Sequence, residues 1–461
     1  MRQPEKLYEG NIRKKYFFFA LPLVLSSLLS QSYTFINSMM IGKFIGSEAF
    51  AATAVTAQLI EFINSIFFGY LTGVGIYVSV LFGKGEQKKM LNVIKVNLLL
   101  SSIFAVFITL FCNLFCGWIF KVLNVSADIY RDAELYFRTY VSGLLFFQLN
   151  WGFTYIANGM GFTRMPLAAS VITGIFNISL NYLFLAVFDK GIGYSALATM
   201  IAASAVAVVY IVIFANLFKN MGLRLGGFSL NKNELKGSID YGTPSMLQQM
   251  AMYGCSAMVS PLVNTCSTAA LSGYAIANKA QALICAVYQS SSKANTNFVA
   301  QAMGAKKIDK IKQGIKIGIV QGLAFFGLTL GLFVIFAPQF TRLFLDPVAD
   351  AESFQVSIYI IRYLLPLLLV NVFNNLFHGI FRAIGSGTLM LISTLIYAVS
   401  FVIYANILFA LLPSEMKIYG AHLALGASYV TEVIFATIIF ITGKWKTPEY
   451  RALESKHYTA Q

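Results

Sequence analysis

The chain has 461 residues, of which 57% are hydrophobic and 11% are charged, whereas about a quarter of the residues of a soluble globular domain are charged. A soluble fold of this length could not bury so much apolar surface. The composition therefore excludes a soluble enzyme and predicts a protein whose solvent is the lipid bilayer. The formal net charge of +15 would suggest nucleic acid in a soluble protein, but here the basic residues lie between apolar runs.

Continuous apolar runs of about 20 residues recur along the chain, which is the length a helix needs to cross the hydrocarbon core. A β-barrel would show alternating strands of about 10 residues instead. The polar start of the chain, 1–15, leads into a long apolar run and predicts no cleavable signal peptide. The runs predict an all-α integral membrane fold with about twelve transmembrane helices. These cover 16–40, 51–82, 91–119, 134–159, 166–188, 194–218, 240–262, 270–302, 314–339, 354–382, 388–411 and 419–443.

Most of the 34 Lys and Arg residues fall on one set of alternate segments, whereas the opposite loops are more acidic. By the positive-inside rule this asymmetry predicts a multi-pass protein of a bacterial inner or plasma membrane with both termini in the cytoplasm. It also accounts for the net charge without a nucleic-acid partner. The basic segments are the N-terminus, the loops near 83–95, 160–165, 219–239, 303–316 and 382–387, and the C-terminal tail.

The second half of the chain repeats the first at an offset of about 222 residues. Pro22 corresponds to Pro244, and the lysine-rich segment 83–95 corresponds to 304–316. With six predicted helices each, both halves enter the membrane from the same side and form parallel repeats, as in transporters that alternate access around a central site. The predicted domains are an N-terminal lobe 1–218, a cytoplasmic linker 219–239, a C-terminal lobe 240–443 and a cytoplasmic tail 444–461.

The order and spacing of several short motifs resemble one transporter family. These motifs are Leu21-Pro22, Met-Ile-Gly-Lys-Phe-Ile-Gly at 40–46, Leu-Ala-Thr at 197–199, Phe-Val-Ala-Gln-Ala-Met-Gly-Ala-Lys-Lys at 298–307, and Arg-Ala-Ile-Gly at 382–385. Together they resemble the multidrug and toxic compound extrusion (MATE) family, within the multidrug/oligosaccharidyl-lipid/polysaccharide exporter superfamily. The resemblance implies two six-helix bundles in a V shape, a central cavity, and export of amphipathic, often cationic compounds driven by H⁺ or Na⁺.

The residues that many relatives use for coupling differ in this chain. Where they carry an Asp in the first helix, this chain has Asn37; where they carry Asn-x-x-x-Asp in the fifth, it has Asn177 and Asn181. An amide cannot bind and release a proton, but its carbonyl oxygen can ligate Na⁺. The sequence therefore predicts a neutral polar cluster for cation coupling, made of Asn37, Asn150, Asn177, Asn181 and Thr199.

Charged residues inside the predicted spans are a second group of candidates, because charges at depth are expensive and usually functional. Glu61 is either a cation or proton site in a cavity or a structural partner of a Lys or Arg. Glu432 is expected to be paired or to face the bundle interior. Lys279 and Lys293 lie four turns apart on one face of the eighth helix, where they would attract anionic groups or neutralise Glu61.

The candidate substrate cavity combines aromatic, Met and amide side chains, which suit adaptable binding. With 41 Phe and 24 Tyr in the chain, any one ring more often faces lipid or another helix. The amides of the tenth helix are more informative because buried amides must find partners. The candidates are Tyr33, Phe35, Met39, Gln148, Phe153, Tyr155, Tyr274, Lys279, Gln281, Tyr288, Lys293, Asn371, Asn374, Asn375 and His378.

The leading functional hypothesis is a monomeric secondary antiporter that exports small, cationic, amphipathic compounds. It is expected to need no cofactor or metal site beyond H⁺ or Na⁺ as the coupling ion. The alternative is a flippase of a lipid-linked sugar or anionic lipid, which the two lysines of the eighth helix favour. A membrane transferase would need clustered His, Asp or Glu, and an ATP-driven pump would need a Walker loop. The sequence shows neither, and it has no channel filter motif.

Overall fold

The fold is helical throughout the residues that the computed structural model describes, which are 6–122, 125–222, 227, 229 and 231–459. Residues 1–5, parts of the predicted linker and the end of the predicted tail lie outside the described residues. Helices occur at all the predicted positions. They are α1 (Ile12–Phe44), α2 (Ser47–Lys84), α3 (Gln87–Leu114), α4 (Cys116–Val122), α5 (Ala127–Ser142), α6 (Leu144–Gly159), α7 (Arg164–Asn181), α8 (Gly193–Asn220), α9 (Lys232–Val263), α10 (Thr268–Gly304), α11 (Ile308–Ile335), α12 (Ala337–Arg342), α13 (Ala351–Tyr359), α14 (Leu369–Ala383), α15 (Gly387–Leu411), α16 (Lys417–Ile441) and α17 (Pro448–Thr459).

Within the described residues, nine helical stretches are long and apolar enough to cross a membrane. The other predicted spans coincide with α5 and α6, with α9, and with α10. Helices α5 and α6 have 16 residues each, so neither alone reaches the length of about 20 that a bilayer requires. The predicted all-α, multi-span membrane fold is confirmed.

Five predicted helices are interrupted in the structure, three of them near their ends and two well inside the predicted span. The predicted helix 134–159 is divided into α5 and α6 at Gly143, where an added Cβ would lie 2.8 Å from Met200 Cγ of α8. The predicted helix 354–382 passes from α13 into a π-helix over Ile360–Leu364 and a 3₁₀-helix over Leu365–Leu368 before α14 begins. Pro366 lies in this 3₁₀-helix, where its missing N–H interrupts the series of α-helical hydrogen bonds.

The predicted tail contains a helix, α17, that was not predicted from the sequence. Tyr450 of α17 and the preceding Trp445 are buried, and Ser386 Oγ donates a hydrogen bond to the Trp445 carbonyl oxygen at 2.7 Å. Lys446 pairs with Glu454 at 2.7 Å. The aromatic residues of the tail are therefore packing residues, which hold α17 in place.

The helices form two compact units whose boundaries fall inside helices. The described part of the first unit runs from Leu28 to Met246, apart from Lys6. The second unit combines Leu7–Ser27 with the described part of the chain from Leu247 onward. Helix α1 therefore begins in the second unit and ends in the first, whereas α9 begins in the first and ends in the second.

In the first unit, the beginning of α9 packs closely against α2 through glycines. A Cβ added to Gly73 would lie 2.1 Å from the Tyr241 carbonyl oxygen, and a Cβ on Gly242 would lie 2.5 Å from the Tyr70 ring. The rings of Tyr77 and Tyr241 stack with centroids 5.4 Å apart. Because the Gly73 contact joins two backbones, side-chain rotation cannot make room for a larger residue.

In the second unit, the beginning of α1 packs against α10. Tyr16 is buried, and its hydroxyl donates to the Ser291 carbonyl oxygen at 3.3 Å. Ser27 and Ser290 share a hydrogen bond of 2.8 Å between their hydroxyl groups. These contacts explain why the first half of α1 belongs to the unit formed by the second half of the chain.

Candidate functional site

Three of the predicted coupling residues form a hydrogen-bonded cluster in the first unit. Asn177 Nδ2 of α7 donates to Thr199 Oγ1 of α8 at 2.9 Å, and that hydroxyl donates to the Ser195 carbonyl oxygen at 3.1 Å. Asn181 lies one turn further along α7, and its Nδ2 donates to the Asn177 carbonyl oxygen at 2.9 Å. The two asparagines are completely buried, because their four-residue spacing turns both toward α8.

Amide oxygens of the predicted coupling residues lack hydrogen-bond donors among the described residues. Asn37 Oδ1, Asn150 Oδ1 and Asn181 Oδ1 are all buried and accept no hydrogen bond there. A buried, unsatisfied carbonyl oxygen costs about 1–3 kcal/mol. Oxygen atoms of this kind are the ligands that hard cations take in proteins.

Helix α1 brings Asn37 alongside α7. A Cβ on Gly174 of α7 would be 3.5 Å from the ring of Tyr33 on α1. Further along, the Phe44 and Tyr182 rings meet with centroids 6.3 Å apart. Asn37 lies on α1 between these two contacts, and Asn177 and Asn181 lie on α7 between the same two contacts.

Asn150 of α6 is tied to the same part of α8. Its Nδ2 donates to the Ala203 carbonyl oxygen at 2.9 Å, and Ala203 lies one turn after Thr199. The five amide and hydroxyl candidates therefore lie on α1, α6, α7 and α8 of the first unit. Hydrogen bonds directly connect three of them, Asn177, Asn181 and Thr199.

Glu61 of α2 lies among tyrosines of the first unit. Its side chain is exposed, and its charge acts on the phenol groups of Tyr33, Tyr136 and Tyr140. Asn64, nearly one turn after Glu61, is buried and donates to Tyr140 Oη at 3.1 Å. Tyr136 and Tyr140 of α5 were not predicted as site residues. Their four-residue spacing, which places both on one face of the helix, was the one signal in the sequence.

Some predicted cavity residues are packing residues within the first unit. Gln148 is completely buried; its Oε1 accepts from Ser101 Oγ at 2.9 Å and its Nε2 donates to Ser102 Oγ at 2.7 Å. Phe153 is also buried, and its ring stacks on Tyr210 with centroids 5.6 Å apart. Both side chains are held by neighbours of their own unit.

The three amides of α14 find partners inside the second unit, as the sequence predicted. Asn371 Nδ2 donates to Tyr288 Oη at 2.8 Å, and Asn374 Nδ2 donates to the Tyr429 carbonyl oxygen at 3.0 Å. Asn375 Nδ2 donates to the Asn371 carbonyl oxygen at 2.9 Å. The amides thus connect α14 to α10 and α16.

The remaining cavity candidates are distributed over both units. Tyr155 and Tyr274 each pack against another aromatic ring. Met39 is 56% exposed. The partly buried candidates are Tyr33 and Phe35 in the first unit and Lys279, Gln281 and Lys293 in the second.

A second buried polar cluster lies in the second unit around His378. Its Nε2 lies 2.9 Å from Glu432 Oε1, and its Nδ1 lies 2.9 Å from Gln248 Nε2. Arg382 donates to Gln248 Oε1 at 2.5 Å. The prediction that Glu432 is paired or faces the bundle interior is confirmed. Its partner His378 was not predicted, because the two residues lie on different helices far apart in the chain.

The fold and its two buried polar clusters together define a class: a multi-pass helical membrane transporter built from two repeated halves. The MatE family model matches residues 22–183 and again residues 244–408, which is more than half of the chain. The chain therefore belongs to the MatE family, the MATE transporters, which are not enzymes. Since one model matches both halves, the internal repeat is confirmed, and so is the family predicted from the motifs.

Curated relatives agree with this assignment. The chain is 23% identical over 458 residues to the probable multidrug resistance protein YpnP of Bacillus subtilis (strain 168), covering 95% of this chain and 97% of the relative. It is 24% identical over 356 residues to the probable multidrug resistance protein YoeA of the same organism, covering 75% of each.

Solved structures show the same fold. An outward-facing multidrug resistance MATE transporter has a TM-score of 0.88 and 20% identity, covering 98% of this chain and 99% of that one. A MOP superfamily transporter from Pyrococcus furiosus, described as having a binding pocket of reverse polarity that suggests a different function, has a TM-score of 0.88 and 19% identity, covering 98% of this chain and 100% of that one.

Proposed function

We propose that this protein is a secondary antiporter that exports small amphipathic cations from a bacterial cell, driven by a Na⁺ or H⁺ gradient. The observation that carries the proposal is the group of buried amide oxygens of Asn37, Asn150 and Asn181, which accept no hydrogen bond from the described residues. Unsatisfied oxygens in a transporter of this family are suited to hold a coupling cation. The curated relatives named multidrug resistance proteins support the substrate class.

The chemistry of the amide cluster favours Na⁺ at that site. Amide and hydroxyl groups keep the same charge at every physiological pH, so they cannot carry a proton across the membrane. Because these ligands are neutral, a bound Na⁺ keeps its full positive charge. A cationic substrate nearby would repel it, so the two cations would occupy the protein alternately, as exchange requires.

The proposed orientation has both termini in the cytoplasm of a monomer in the cell membrane. It is supported by the excess of Lys and Arg on the N-terminus, the C-terminal tail and alternate loops. In this orientation α17 lies on the cytoplasmic side.

The first measurement is uptake of a fluorescent organic cation into everted membrane vesicles that contain the protein. We expect uptake when a Na⁺ gradient is imposed, because everted vesicles accumulate what the cell exports. A proton gradient is applied separately, and vesicles without the protein are the control. Absence of uptake with either gradient, from folded protein, would contradict the proposed cation antiport.

Replacing Glu61 by Gln tests whether protons also couple through the first unit. We expect Glu61→Gln to remove uptake driven by a proton gradient and to leave Na⁺-driven uptake in place, because the amide keeps the shape of the side chain but cannot ionise. The matched control is Glu415→Gln, at an exposed position between α15 and α16. Proton-driven uptake at the wild-type rate in Glu61→Gln would exclude Glu61 as the essential proton site.

The alternative function is a flippase of a lipid-linked sugar or an anionic lipid. Lys279 and Lys293 favour it, because both are partly buried on α10, where a positive charge attracts an anionic group. The P. furiosus transporter, which has the same fold, is described as having a binding pocket of reverse polarity that suggests a different function. If neither gradient drives uptake in the vesicle experiment, the next measurement is lipid flipping in proteoliposomes. The Lys293→Gln variant is then compared with the wild-type protein.

A further inference from the structure

We propose that His378 and Glu432 form a proton-binding site in the second unit, and that a proton on His378 separates Gln248 from Arg382. The site is additional to the amide cluster of the first unit. Its use in transport rests on the proposed function, whereas its protonation can be measured on the protein alone.

The orientation of Gln248 follows from the chemistry of Arg382. A guanidinium group only donates hydrogen bonds, so the Gln248 atom that faces it at 2.5 Å is the oxygen, Oε1. The amide nitrogen therefore faces His378 Nδ1 at 2.9 Å. Arg382 also donates through Nε to Met390 Sδ at 3.1 Å, which helps to hold the guanidinium in this orientation.

The orientation of Gln248 in turn determines where His378 carries its proton. An amide NH₂ group only donates, so Nδ1 must accept and carries no hydrogen. In the neutral imidazole the proton is then on Nε2, the atom that lies 2.9 Å from Glu432 Oε1. That contact is off the line of a good hydrogen bond, so its main contribution is electrostatic.

Glu432 is a suitable counter-ion for a protonated His378. The residue is 2% exposed, and a carboxylate at that depth is costly unless nearby charges or donors compensate for the lost hydration. Ser393 Oγ donates only a long hydrogen bond of 3.4 Å to it. A positive charge on the adjacent imidazole would therefore stabilise the carboxylate strongly.

Adding one proton has a defined structural consequence. A proton from water forms an N–H bond at His378 Nδ1, and the hydrogen bond from Gln248 Nε2 to that atom is lost because both groups are now donors. Gln248 can accept from Nδ1 only by turning its Oε1 away from Arg382. Its NH₂ group would then face the guanidinium, donor against donor. A hydrogen bond from the protonated Nδ1 of His378 and the hydrogen bond from Arg382 therefore compete for Gln248 Oε1.

The titratable neighbours on the surrounding helices are mostly neutral at physiological pH. Glu432 acts electrostatically on Tyr397 of α15 and Tyr429 of α16, and these phenols adjoin the thiol of Cys255 on α9. On α10 the neighbouring titratable groups are Tyr288 and Cys285. The hydroxyl of Thr296 on the same helix lies against Gly379. Lys293 precedes Thr296 by nearly one turn. The charged residues of α11 are Asp309, Lys310, Lys312 and Lys316, in its first turns. Among the described residues, the charged side chains in direct contact with His378 or Gln248 are thus those of Glu432 and Arg382.

The protein offers a direct spectroscopic test, because it has only three histidines. We expect ring-nitrogen NMR of ¹⁵N-histidine-labelled protein to show His378 with a proton on Nε2 alone at high pH and on both nitrogens at low pH. His378→Gln assigns the signals. A His378 spectrum that keeps one form at every pH at which the protein stays folded would overturn the proposal and leave the cluster a static ion pair.

Two substitutions should move the titration in opposite directions. Glu432→Gln removes the anion that stabilises the imidazolium, so the midpoint is expected to fall by about 1–3 pH units. Arg382→Gln removes both a nearby cation and the hydrogen bond that protonation must break, so the midpoint is expected to rise. Gln248→Ala, which removes the same hydrogen bond, replaces Arg382→Gln if that variant does not fold.

The matched control is His457→Gln, which changes a histidine of α17 that contacts Asp309 and should leave the His378 midpoint unchanged. If the midpoint of the His378 titration is the same in Glu432→Gln as in the wild-type protein, the proposal is contradicted.

A transport measurement separates this proposal from the proposed function. In everted vesicles, His378→Gln is expected to lose proton-driven uptake and to keep exchange of labelled for unlabelled substrate without a gradient. If the wild-type protein transports no cation, the proposed function fails while the NMR titration still decides the site. If His378→Gln keeps full proton-driven uptake, a coupling role of the site is excluded.

Discussion

Gly73→Ala is expected to destabilise the first unit by about 1–3 kcal/mol, the range for overpacking a closely packed interior. A Cβ at this position would lie 2.1 Å from the Tyr241 carbonyl oxygen and 2.6 Å from Gly242 Cα. Because both atoms belong to the backbone of α9, the methyl group can be accommodated only if α9 moves away from α2. The stacked rings of Tyr77 and Tyr241 would separate in the same movement.

Two other glycines provide graded controls for this measurement. A Cβ on Gly237 would meet the end of the Tyr77 side chain at 2.4 Å. A side chain can rotate, so Gly237→Ala is expected to destabilise less than Gly73→Ala. Gly331 of α11 has no atom within 4 Å of an added Cβ, and Gly331→Ala should leave stability equal or slightly raised, because alanine favours the helix. The measurement is thermal unfolding of purified protein in one detergent, and equal melting temperatures for all three variants would contradict the close α2–α9 packing.

Asn177→Leu is expected to weaken the apparent affinity for Na⁺ in vesicle uptake by about 10- to 100-fold, the usual cost of losing a group that orients cation ligands. The Asn177 side chain donates to Thr199 Oγ1 at 2.9 Å and lies 3.3 Å from Asn181 Nδ2. Leucine is similar in size but makes neither contact, so the hydroxyl and the neighbouring amide would lose their fixed orientation. The matched control is Asn406→Leu, at an exposed asparagine of α15.

A gain of function complements this loss. Asn181→Asp introduces a carboxylate beside Asn177 at a position where Asn181 Oδ1 accepts no hydrogen bond from the described residues. An ionisable group can bind and release a proton, so uptake driven by a proton gradient is expected to rise in this variant. Wild-type Na⁺ affinity in Asn177→Leu, together with unchanged ion preference in Asn181→Asp, would show that the amide cluster is not the coupling site.

The sequence by itself determined the class of protein, its helices and its family. Each of these depends on local properties of the chain: an apolar run of about 20 residues crosses a bilayer wherever it occurs. The repeat from Pro22 and Pro244 onward and the order of the motifs were likewise visible without contacts. The residue types of the amide cluster, which we propose as the coupling site, were also predictable, because Asn37, Asn177 and Asn181 stand at recognisable motif positions.

The tertiary structure alone decided how the polar residues are partnered and where the two units begin. Lipid and the interior of a helix bundle are both apolar, so the sequence of a membrane helix does not indicate which of its faces meets a neighbouring helix. Gln148 therefore looked like a cavity residue but is held by two serines, and His378 looked like a substrate contact but pairs with Glu432. The unit boundaries inside α1 and α9 arise from contacts such as that of Gly73 with Tyr241, which form between helices far apart in the chain and leave no periodic signal in either.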